Sequence, residues 1–181
     1  MPLQTTHSLT VVSGDYKDQL LTELGISEGF RAKPYIDVVP SPAIATIGWG
    51  FNIETVSAYM ALTLNQMGIL GNKTAAETQQ ILNQFIVAAT AATGSTPLAA
   101  TTDLQARLDP LAQQYGLTDF SITQSQARTI YDQILDGATI AVTSGSPMVI
   151  PGKQPHLDVI LGNSLARIIH DGSSRNRQAA S

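Results

Sequence analysis

At 181 residues, with 43% hydrophobic and 13% charged side chains, the chain is long enough to bury a core and too poor in charge to be held open by self-repulsion. The net charge of −4, with ten Lys and Arg scattered along the chain, argues against nucleic acid as the main partner. Cysteine is absent, which excludes a disulfide framework, a thiolate nucleophile and a cysteine-built zinc site.

Residues 1–13 are rich in Thr, Ser and Val and read as an N-terminal arm, with neither the basic start nor the apolar run of a signal peptide. From 15 to 27, Tyr16, Leu20, Leu21, Leu24 and Ile26 recur at near-helical spacing, which predicts an amphipathic helix closed by Glu28 and Gly29. A carboxylate at that end meets the negative pole of the helix, which disfavours its ionisation. Segments 33–39 and 44–51, rich in Tyr, Ile, Val, Thr and Trp and divided by Pro40-Ser41-Pro42, predict a β-hairpin, with a third short strand near 51–53. Gly48 and Gly50 permit the close backbone approach of a glycan-facing loop. Tyr35 and Trp49 offer flat apolar faces to a sugar ring, or equally to the core.

The remainder is helical in pattern. Residues 55–70 carry Val56, Tyr59, Met60, Leu62, Leu64 and Met67. Thr74 and Glu77 form a capping-box signature for a helix running to about Thr93, with Ile81, Leu82, Phe85 and Ile86 inward. A break at 94–97 precedes a weaker helix over 98–115, interrupted by Pro110. Thr123 and Gln126 repeat the capping box and open a helix whose stripe is Ala127, Ile130, Tyr131, Ile134, Leu135, Ala138 and Ile140. Residues 144–155 read as a Gly/Pro loop, 156–170 as another helix and 173–181 as a polar end. No apolar run approaches the ~20 residues that span a bilayer. His7, His156 and His170 stand far apart with no HExxH context, so no metal and no cofactor is expected.

Two acids carried on different elements, Glu28 and Asp37, can be given different surroundings, so that one carboxyl stays protonated while the other stays ionised. That is the equipment for cleaving a glycosidic bond. Glu28-Gly-Phe-Arg-x-Lys-x-Tyr-x-Asp37 followed by Thr46-Ile-Gly-x-Gly50 resembles the phage-type lysozymes, glycoside hydrolase family 24, over about residues 15–54, with a looser echo at Ile122-Thr-x-x-Gln-Ala127. The resemblance implies an α+β, mostly helical, lysozyme-like fold, with a small β-hairpin or three-stranded sheet beside a helical lobe. An active-site lobe would span about 14–54 and a helical lobe about 55–181. It implies Glu28 as proton donor, Asp37 as second acid and Thr46 as its companion. Beside them, Tyr35, Gly48, Trp49 and Gly50 are the candidate substrate-side residues, with Arg31 suited to an acidic stem peptide, to pairing with Asp37 or to the solvated surface.

The implied partner is bacterial peptidoglycan, cut between N-acetylmuramic acid and N-acetylglucosamine. Members are phage endolysins, tail lysozymes or secreted bacteriolytic effectors, so a protein made in the cytoplasm and carried to the wall by a holin, a phage tail or a secretion system is the expectation. A non-catalytic peptidoglycan-binding or structural module on the same framework, and a lytic transglycosylase, are the alternative readings. The chain departs from the family in a longer turn between Asp37 and Thr46, in Phe51 where histidine is common, and in an apparent insertion near 60–118. It also lacks the family's later Arg-led helix, which leaves either a rebuilt second lobe or a fragment of a longer protein as the expectation.

Overall fold

The computed structural model describes residues 29–38 and 42–152, together with Lys17 and Leu21. The 1–13 arm, the body of the 15–27 helix, Glu28, part of the hairpin turn, the 156–170 helix, the polar end and all three histidines lie outside the described residues. Lys17 and Leu21 are both helical; Leu21 packs against the core and the Lys17 ammonium meets Asp136 at 2.5 Å.

The described architecture is α+β. Three antiparallel strands, β1 (Arg31–Asp37), β2 (Ile44–Gly48) and β3 (Phe51–Asn52), form a sheet in that order. Four helices follow among the described residues: α1 (Ser57–Gln66), α2 (Ala75–Thr90), α3 (Pro97–Gln113) and α4 (Gln124–Asp136). A two-stranded antiparallel sheet, β4 (Gly137–Ile140) with β5 (Met148–Pro151), closes the described chain.

The core sits around α1. Met60, Ala61, Leu62, Thr63 and Leu64 are all completely inaccessible to solvent, so this helix is enclosed on every side, as a helix without a polar face must be. Thr63 is tolerated there because its hydroxyl donates to the Tyr59 carbonyl at 2.8 Å. Ile81, Leu82 and Phe85 of α2, Leu104 and Leu108 of α3, and Ile130, Tyr131 and Ile134 of α4 complete the interior. Both capping boxes form: the Thr74 side chain accepts from the Glu77 N–H, that of Thr123 from the Gln126 N–H, and each N3 side chain returns to the cap backbone.

Three expectations are corrected. The stripe expected to run through Ala138 and Ile140 as helix ends at Gly137, whose φ of 89° and ψ of 161° break the turn; both residues belong to β4. An apolar residue every second or third place serves a strand as well as a helix, so spacing could not separate them. The expected Gly/Pro loop over 144–155 contains β5, and the turn between the strands is anchored on α2 by the Ala75 N–H donating to Ser144 O at 2.9 Å. Helix α3, expected to be interrupted at Pro110, runs through it for 17 residues. Pro110 and Ala106, whose carbonyl it leaves without a helical donor, both face solvent, where water serves that carbonyl.

Candidate active site

The register of the hairpin decides what can act together. Tyr35 lies opposite Thr46, Asp37 opposite Ile44, and Thr46 opposite Asn52. Directly opposed residues of an antiparallel pair point to the same face, so Tyr35, Asp37, Thr46 and Asn52 share one face while Ile36, Ala45, Ile47 and Phe51 turn to the other. Asp37 and Thr46 are diagonal neighbours, for which a separation of roughly 7–8 Å is usual.

Around this row the side chains are firmly placed. Thr46 is 1% exposed and its hydroxyl donates to the Tyr35 carbonyl at 3.4 Å. The hydroxyl therefore faces protein rather than an open cleft. Tyr35 is buried, with the Arg31 guanidinium 4.2 Å above its ring centre. Asp37 is half-buried at the end of β1. Glu28, the expected proton donor, lies outside the described residues; Gly29, which follows it, takes φ 66°.

Trp49 and Gly48 serve the interior. The Trp49 ring is 6% exposed and belongs to a continuous aromatic line, 5.5 Å from Phe30 on one side and 6.4 Å from Phe51 on the other, with Tyr59 6.4 Å beyond. Its function here is to pin Phe30, two residues after Glu28, and it presents no open face for stacking a sugar. A side chain on Gly48 would strike the Phe51 ring at 2.8 Å, so this glycine admits an aromatic neighbour rather than a glycan. Gly50 is half-exposed with φ 85° in the turn between β2 and β3. Phe51 is buried between Trp49 and Tyr59.

Residues that spacing did not suggest also act on the hairpin. The Glu54 carboxylate accepts the Ala45 N–H at 2.8 Å and holds the start of β2, while Asn52 turns the chain by accepting the Glu54 and Thr55 N–H groups at 3.1 and 2.8 Å. Lys33 pairs with Asp119 at 2.8 Å. The hydrogen bonds from Lys33 and Ser121 hold the Asp119 carboxyl below the usual carboxylate range, and Asp119 raises the Lys33 ammonium above its ordinary value. Lys33 is thereby committed to the loop before α4.

Among the described residues no group of three or more His, Asp or Glu side chains is arranged to hold a metal ion, and no helix is long and apolar enough to cross a membrane. A shallow depression of about 590 Å³ on the exposed face of α2, lined by Gln79, Gln80, Asn83, Gln84 and their neighbours, shares no residue with the hairpin.

The class that fold and site define is therefore an α+β domain with an acid-bearing hairpin packed on a buried central helix. No family model, no curated protein and no solved structure matches the chain.

Proposed function

We propose that this protein is a peptidoglycan hydrolase that cleaves the bond between N-acetylmuramic acid and N-acetylglucosamine by general acid–base catalysis. The observation that supports the reading is the hairpin register, which aligns Asp37 with Tyr35 and Thr46 on one face, in the motif that resembles the phage-type lysozymes.

In this scheme Glu28 protonates the leaving glycosidic oxygen. Asp37 orients and deprotonates a water on the opposite face of the sugar, an inverting arrangement in which the two carboxyl groups stand roughly 6.5–9.5 Å apart. The burial of Thr46 suits a supporting part: its hydroxyl ties β2 to the β1 carbonyl two residues before Asp37 and so stiffens the strand that carries the base.

Release of new reducing ends from purified sacculi tests the reading. Glu28→Gln should lower turnover by at least ~100-fold, the usual contribution of a general acid, while circular dichroism stays unchanged. Unchanged turnover in that variant removes the proposal. The burial of Thr46, which keeps its hydroxyl out of an open cleft, favours, as second reading, a module that holds peptidoglycan without cutting it. Such a protein sediments with sacculi and generates no new ends, whereas anhydro products would mark a transglycosylase.

A further inference from the structure

We propose that Thr101 and Gln105 of α3 are positioning residues for Asp37, fixing β1 from outside as a fourth strand would; this inference rests on the hydrolase reading. Among the described residues strand β1 is at the edge of its sheet, with β2 as its one strand neighbour. It lies beside β2 at 31, 35, 36 and 37, and because hydrogen bonding alternates along an antiparallel pair, residues 32, 34 and 36 turn backbone groups outward to other partners.

Each of these outward positions meets a partner. The Ala32 carbonyl accepts the Ile122 N–H at 2.9 Å, the Pro34 carbonyl accepts the Gln105 side-chain amide at 2.9 Å, and the Ile36 N–H donates to the Thr101 hydroxyl at 3.0 Å. Position 34 is proline, which has no N–H to leave orphaned at an edge.

The identities of the helix residues follow from this duty. Ala100, Leu104, Leu108 and Ala112 form the buried stripe of α3, and the next position round, at 101 and 105, faces backbone instead of core. Thr and Gln supply there an acceptor and a donor one helical turn apart.

The catalytic importance lies in where β1 is weak. Its register slips between Arg31 and Tyr35, so the pairs at 35 and 37, on either side of the outward-facing Ile36, hold its last residues to β2. The Thr101 bond grips the Tyr35–Ile36 peptide, one residue before Asp37. With it, β1 is held from both edges next to the point where the carboxylate emerges.

The test compares Thr101→Val, Thr101→Ser and Gln105→Leu in the full chain, using soluble uncrosslinked peptidoglycan strands as substrate and amide exchange at Ile36 as local readout. T101V, isosteric but without an acceptor, should speed Ile36 exchange and lower kcat roughly tenfold with KM within about twofold, since small misplacements of a catalytic group act on turnover. T101S should restore both. Q105L, the second variant should T101V fail to fold, should lower kcat about threefold at unchanged KM. Faster Ile36 exchange with unaltered kcat overturns the proposal, as does a loss that T101S does not restore or that falls on KM. In those cases wild type still cuts; a wild type that releases no fragments overturns the hydrolase reading itself, and the positioning role with it.

Discussion

Replacing Gly48 with alanine adds one methyl group at the end of β2, and two independent costs follow. The residue holds φ 68°, in the left-handed region where an L side chain costs about 1–2 kcal/mol. A Cβ built there comes 2.8 and 2.9 Å from two carbons of the Phe51 ring and 3.4 Å from Ile122 Cδ1. That ring is 5% exposed and lies between Trp49 and Tyr59, so it cannot swing away freely. Overpacking of this kind adds about 1–3 kcal/mol.

The expected loss is therefore about 2–5 kcal/mol, a large part of the ~5–15 kcal/mol that stabilises a typical domain. Trp49, the single tryptophan of the chain, adjoins the site and reports urea unfolding by its fluorescence. The midpoint should fall with an unchanged slope. The double variant G48A/F51L should recover about 1 kcal/mol relative to the sum of the single changes, because only the steric part is relieved. A loss below about 0.5 kcal/mol, or strict additivity with F51L, would refute the assignment of Gly48 to close packing.

Two further changes probe the frame around the hairpin. Asp119 has a depressed folded-state pKa, so its contribution is present above the ordinary carboxylate value and is lost as pH falls through the lower folded value. Lys33 is raised, so its share is present below its ordinary value and is lost only as pH climbs through the higher folded one. The melting temperature of wild type should therefore exceed that of Asp119→Asn most between about pH 5 and 9, the difference shrinking once the pH drops past the ordinary carboxylate value of about 3.9 and vanishing only below the lower folded one; a constant difference across that range would sink the assignment. Thr74→Ala removes the hydroxyl that accepts the Glu77 N–H at 3.2 Å and should cost about 1 kcal/mol in chemical denaturation, against no measurable loss if the capping box were ornamental.

Much of the chain could be read without coordinates because its signals are local. A Thr three residues ahead of Glu77 or Gln126 closes hydrogen bonds within one helical turn, so the starts of α2 and α4 follow from spacing alone. The β-prone runs on either side of Pro40-Ser41-Pro42 likewise dictate a hairpin, and alternation within β1 sets Tyr35 and Asp37 on a common side; that Thr46 joins them follows from the register of the two strands. Residues far apart in the chain obeyed no such rule. Trp49 was equally suited to a sugar or to a core, and only the arrival of Phe30 and Phe51 against its two sides made it interior.

The partners of the β1 edge were also invisible in the sequence, although Pro34 hinted that the strand would have an open side. Thr101 and Gln105 lie 65 and 71 residues from the groups they bind, and nothing in their own neighbourhood marks them. Local hydrogen bonding and side-chain alternation thus determined where α2 and α4 begin and that a hairpin forms, while β4 and β5 emerged only from their pairing with each other. Packing between distant segments decided which faces were buried, because burial depends on what the rest of the chain brings to them.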